Sequence, residues 1–155
     1  MAEEELRDFP SACEAGLPPF AQHGALPPGD FRPLRAGFEE RFVRTGNRER
    51  REAIYEGWNR HRAALMQAGL PQETRQLLNG SYTEAKPAPG DIDIAVEVPV
   101  DREMLNTSGV DHPVVRLLQG SDMREVYWCD AHPIFVLPRE DTYHAAVTVG
   151  AIRYW

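Results

Sequence analysis

Lysine is almost missing from this sequence. Lys86 is the single lysine among 17 basic residues, and the others are arginine, a bias that reads first as genome composition. Cysteine is scarce as well: Cys13 and Cys129 stand far apart. No disulfide is expected from such a pair, and the reducing cytosol is the expected compartment. The acidic start, MAEEELRDFP, lacks the apolar core of a secretory signal. No apolar run approaches the roughly 20 residues that span a bilayer, so no membrane partner is expected. Basic charge is also in deficit. A net charge of −7 argues against a protein that coats nucleic acid, although local patches could still bind phosphate.

What is present is an ordinary globular composition. With 155 residues, 42% of them apolar, the chain can bury one core. Residues 1–35 hold six prolines and several glycines, which disfavour both helix and ladder, so an irregular arm is expected there. Residues 36–155 form the expected domain.

Ile54, Trp58 and Leu65 recur at helical spacing within 36–68, with Tyr55 and Met66 on an adjoining stripe. Asn47 fits as a cap after a break at RTGN, and Gly69 with Pro71 fits as the stop. The arginines of this segment, from Arg41 and Arg44 through Arg51 to Arg62, alternate with glutamates. That pattern predicts a solvated, ion-paired helix face. Then the periodicity changes. RQLLNGS predicts a short strand, and DIDIAVEV alternates strictly until Pro99. DHPVVRLLQG predicts a short helix capped by Asp111 and stopped by Gly120. REVYWCD predicts a third strand, which PIFVL continues past a break at Pro133. The last segment, TYHAAVTVGAIRYW, fits either strand or helix. The order predicts a small α/β (α+β) unit with helices packed on a small mixed sheet.

Chemistry concentrates in LNGSYTEAKPAPGDIDIAVEV, residues 78–98. On a strand, Asp91 and Asp93 share one face about 7 Å apart, and like charges held so close call for a cation. Paired hard oxygens suit Mg²⁺ (or Mn²⁺), whose shell is completed by water and substrate phosphates. Gly80 lets the backbone approach a ligand, and Ser81 with the following amides can bind phosphate oxygens. Tyr82 and Lys86 are further candidates for contact with a triphosphate such as ATP. The plain alternative is that Asp91 and Asp93 form the wet face of a strand and Lys86 is a solvated loop residue. Cys129 and His132 have a C-x-x-H spacing, but no second pair completes a zinc site.

Gly80-Ser81, nine intervening residues, then Asp91-Ile92-Asp93-Ile94 resembles the signature of the DNA polymerase beta-like nucleotidyltransferase superfamily. The stretch GSYTEAKPAPGDID is most similar to small bacterial nucleotidyltransferase-like proteins with a Pro/Gly-containing lead-in and an Arg-containing helix, as LPPGDFRPL and RFVRTGNRERREAIYEGW are here. The resemblance implies a minimal nucleotidyltransferase fold with a third carboxylate on a later strand. Asp130 in VYWCDAHPIF is the best candidate, with Asp122 and Glu125 poorer. It implies Mg²⁺-dependent transfer of a nucleoside monophosphate, most simply AMP from ATP, to a protein, RNA or small-molecule hydroxyl. A protein partner or acceptor in a toxin–antitoxin or defence pair belongs to the same expectation. The rival expectations are an inactive, nucleotide-holding antitoxin module and a pure interaction protein.

Overall fold

A computed structural model describes residues 17–106 and 111–155. Cys13 and the first part of the expected arm lie outside these residues. The arm from Leu17 onward packs on the domain. Leu17 is buried, and Phe20, Leu26 and Phe31 lie against the core. The arm is tied down by Arg41, which donates to the Pro18 carbonyl, and by the Ala85 N–H, which donates to the Gly24 carbonyl.

Helix α1 (Arg35–Phe38) runs into a π-helical turn at Glu39–Val43, and α2 covers Arg48–Gln67. Asn47 caps α2 by accepting from the Arg50 N–H at 3.0 Å, as its side-chain chemistry predicts. Strands β1 (Gln76–Asn79), β2 (Ile92–Pro99) and β3 (Cys129–Val136) make one mixed sheet with β2 in the centre. β1 runs antiparallel to β2, and β3 runs parallel to it. The parallel return needs a crossover, which the short helices α3 (Arg102–Asn106), α4 (Pro113–Arg116) and α5 (Arg124–Tyr127) supply among the described residues. The ambiguous last segment is helical: a π turn at Ala145–Val149 leads into α6 (Gly150–Tyr154). The fold is thus the expected mixed α/β unit. No helix among the described residues is long and apolar enough to cross a membrane.

The strict alternation of β2 decides where the core sits. Ile92, Ile94, Val96 and Val98 are all buried within one cluster that includes Ile54, Leu65 and Phe42. Burial of that face leaves Asp91, Asp93, Ala95 and Glu97 to the other, which fixes the register of the acids.

Four expectations are corrected. The segment REVY is helical, not extended: α5 ends at Trp128, whose φ of 58° is left-handed, and β3 starts only at Cys129. Pro133 does not break β3. It pairs with Val96 inside a strand at the sheet edge, where a missing N–H can face the open side. α4 stops at Arg116, short of the stop expected at Gly120. The cap of α4 is His112, whose Nδ1 accepts from the Val114 N–H, rather than Asp111.

The largest departure concerns the arginines, since Arg41 and Arg51 are 1% and 0% exposed. Arg51 donates to four backbone carbonyls, those of Phe42, Tyr82, Glu84 and Lys86, at 2.5–2.9 Å. Burial draws its pKa down to about 10, which still leaves the guanidinium charged at neutral pH. The mixed-sign pattern is genuine at Arg35–Glu39 and Arg48–Glu52, which are exposed i,i+4 pairs. The forked guanidinium also suits carbonyl pairs, however, and periodicity cannot separate the two uses.

Candidate active site

The two pairings of β2 bring three polar residues into one row. Asn79 on β1 lies opposite Asp93, and Asp93 lies opposite Asp130 on β3. Partners on adjacent strands point to the same face about 4.8 Å apart, so the carboxylates of Asp93 and Asp130 are neighbours. Asp91 precedes β2 and joins them one pleat away. Asp130 therefore stands where the third acid is expected, though as the second residue of β3 and not as the end of a run. Asp122 and Glu125 lie elsewhere, exposed in the helical turns before β3. Cys129 and His132 sit three residues apart on a strand and so face opposite ways. Cys129 is a free buried thiol, pushed up to about 12 by burial, while His132 joins the acids.

Arg124 and His132 hold the acids. Arg124 places Nε on Asp91 Oδ2 and donates through Nη2 to Asp130 Oδ2 at 2.7 Å. His132 Nε2 meets the other Asp130 oxygen at 2.7 Å. Asp93 makes no ion pair among the described residues. Burial, and then the charges of Asp91 and Asp130, push its carboxyl above the usual range against the opposing pull of Arg124 and His132. Among the described residues, no three His, Cys, Asp or Glu side chains are gathered into a ready ligating group.

Glycines flank the row on both sides. Gly80 has φ +75°, and a Cβ there would lie 1.7 Å from Asp93 Oδ2. Gly120 has φ +62°, and its Cβ would meet the His132 ring at 3.0 Å. A Cβ at Gly80 would require the Asp93 carboxylate to move, and one at Gly120 would press on the His132 ring.

The Gly80-Ser81 turn is a short 3₁₀ helix, Ser81–Thr83. The Thr83 and Glu84 N–H groups close it onto the carbonyls of Gly80 and Ser81. The Tyr82 side chain does not face a ligand. It is fully buried, and its hydroxyl donates to the Arg51 carbonyl at 3.0 Å. Lys86 is exposed in the following loop, its carbonyl held by Arg51.

Three arginines of α2 hold the loops that carry this site. Arg50 donates to the carbonyls of Pro89 and Gly90, both at 3.1 Å, and stacks 4.2 Å over Trp128. It thereby clamps the residues that enter β2 and β3, where the Ile92 N–H also donates to the Trp128 carbonyl. Arg51 ties the Tyr82–Lys86 loop, and Arg60 donates to Val126 beside Arg124. Gly57 lets α2 approach this turn, since a Cβ there would lie 2.3 Å from the Tyr127 carbonyl oxygen. Sequence reasoning missed Arg124, His132, Asn79 and these supports. The Asp-x-His pattern at 130–132 was a usable signal, because alternation puts both on one face. Arg124 gave none while its segment read as a strand.

Residues 18–155 match the DUF6932 family, described as a family of unknown function. The chain belongs to that family. No curated protein and no solved structure matches it. For this DUF6932 chain, function must therefore be argued from the site itself. One further feature bears on it, a cleft of about 1030 Å³ along the free edge of β1. Its walls include Phe31, Phe38, Trp58, Leu77 and Trp155, and it reaches Asn79 and Thr83 on either side of the Gly80-Ser81 turn.

Proposed function

We propose that this protein is a Mg²⁺-dependent nucleotidyltransferase that moves a nucleoside monophosphate, most simply AMP from ATP, onto a hydroxyl. The observation that carries the reading is the alignment of Asp93 with Asp130 across β2 and β3, with Asp91 alongside and Gly80 packed against Asp93. Three hard-oxygen donors on one face, one of them destabilised as an anion by the other two, suit a small divalent cation. Asp91, Asp93 and Asp130 would hold it, and when bound it supplies neutralisation of phosphate charge.

The chain's own groups do the rest. The Gly80-Ser81 turn offers the Ser81 hydroxyl and the first amides of its 3₁₀ helix to phosphate oxygens. The acceptor oxygen attacks the α-phosphorus in line, a new O–P bond forms, and the bond to the β-phosphate's bridging oxygen breaks, so pyrophosphate leaves. Asp130 takes the hydroxyl proton and His132, on its Oδ1, steadies it there. The aromatic cleft beside Asn79 and Thr83 is room for the base or the acceptor. The acceptor is a protein, RNA or small molecule, and the protein acts in the cytoplasm.

A second reading is a non-catalytic nucleotide-holding or antitoxin module. The engagement of Asp91 and Asp130 by Arg124 favours it. Incubation with α-labelled nucleotides, Mg²⁺ or Mn²⁺ and cell lysate separates the two, alongside the Asp91→Ala/Asp93→Ala double variant. Label transfer that the variant loses supports the enzyme. Nucleotide binding without transfer supports the module, and the absence of both transfer and binding sinks both readings.

A further inference from the structure

Arg124 reaches two acids with one guanidinium: Nε lies on Asp91 Oδ2 and Nη2 on Asp130 Oδ2. The second oxygen of Asp130 is taken by His132. Both oxygens of Asp130 and one of Asp91 are thus engaged by the chain itself. A ligated cation would require the same lone pairs, and it would repel a guanidinium held against them. A cation that draws on Asp130 and on this oxygen of Asp91 therefore competes with the guanidinium.

The Arg124 side chain is 51% exposed, on a helix of four residues that ends at the left-handed Trp128. Solvent reaches the guanidinium from one side, while the Asp91 and Asp130 carboxylates beneath it are only 17% and 16% exposed. Arg51 is the opposite case, fully buried on four carbonyls and with no route to exchange.

We propose that Arg124 is a resident counter-ion that competes with a divalent cation for Asp91 and Asp130, and that loading of the site requires its guanidinium to leave. The inference rests on the reading that these acids take such a cation.

The test titrates Mn²⁺ alone into the full chain and follows the free-ion paramagnetic signal. Wild type is compared with Arg124→Gln, Arg124→Lys and Asp93→Asn. Removing a unit positive charge beside the site is expected to tighten Mn²⁺ binding at least about tenfold in Arg124→Gln. The metal-free variant should melt no higher than wild type. Opposite signs for metal affinity and metal-free stability are what a merely structural arginine would not give, because its loss would weaken both. Arg124→Lys keeps a charge but cannot span both acids, so it should fall between, and it decides the matter if Arg124→Gln fails to fold. Equal or weaker binding in the Arg124 variants overturns the inference. The cation reading survives that result if Asp93→Asn weakens wild-type binding. No Mn²⁺ binding by any form overturns both.

Discussion

Two arginines near the acid row show what the same side chain does in two settings. Arg51 is sealed beneath the Gly80-Ser81 loop and donates to four backbone carbonyls. Arg124 stands half exposed at the lip of the acid row and meets carboxylates. Carbonyls hold a guanidinium through geometry, and their arrangement disappears if it leaves. Carboxylates hold it through charge, and another cation can take its place. One arginine therefore belongs to the fold and the other to the site.

Substitutions sharpen this contrast. Arg51→Met strands four backbone carbonyls, those of Phe42 and Tyr82 in buried bonds, and should cost at least about 3 kcal/mol, read as a lowered denaturation midpoint. If Arg51→Met melts like wild type, the loop is held by something else. Gly80→Ala combines left-handed strain with a Cβ against Asp93 Oδ2, so a loss of roughly 1–3 kcal/mol is expected. The same variant should lose Mn²⁺ and nucleotide binding, since Asp93 must move. Arg50→Ala removes two carbonyl bonds and the Trp128 stack, and roughly 1–2 kcal/mol should go with them. Arg124→Gln, by contrast, removes a half-exposed guanidinium and strands no carbonyl, so its cost should fall below that of Arg51→Met.

The smallest effect has the reverse sign. The Asp93 carboxyl is raised by burial and by its acidic neighbours, so the native state keeps a proton that the unfolded chain has released. Its contribution to stability is complete below the unfolded pKa and is lost as pH rises through the raised native value. Asp93→Asn escapes that loss. Without metal, the variant should gain on wild type in melting temperature as pH rises above about 4. Added Mg²⁺ should reverse the gain by stabilising wild type alone. A pH-independent difference would show that Asp93 is not crowded.

The site's first half was legible because it is local. Asp91 and Asp93 are two residues apart on an alternating strand, and Gly80-Ser81 is a turn in one piece of chain. The third acid was reachable only through the resemblance, and its setting was misjudged. REVY has strand-like composition, yet Ser121 to Tyr127 coils into helical turns against Gly57 of α2. Pro133 reads as a stop, yet an edge strand tolerates it. The supporting arginines were illegible for a different reason. Apart from the Arg51–Phe42 bond, nine residues apart, Arg50, Arg51 and Arg60 bond to carbonyls between 31 and 66 residues away, and no pattern of side-chain types encodes a backbone acceptor at that range.

If the row of acids beside the serine turn grips a divalent cation and, with it, a polyphosphate, the grip must depend on Asp93. Equilibrium titration of Mn²⁺·ATP into wild type and Asp93→Asn tests this most directly. Saturable wild-type binding, weakened at least about tenfold in the variant, is the predicted result, a difference of about 1.4 kcal/mol. Equal affinity in the two proteins, or no binding to either, would contradict it.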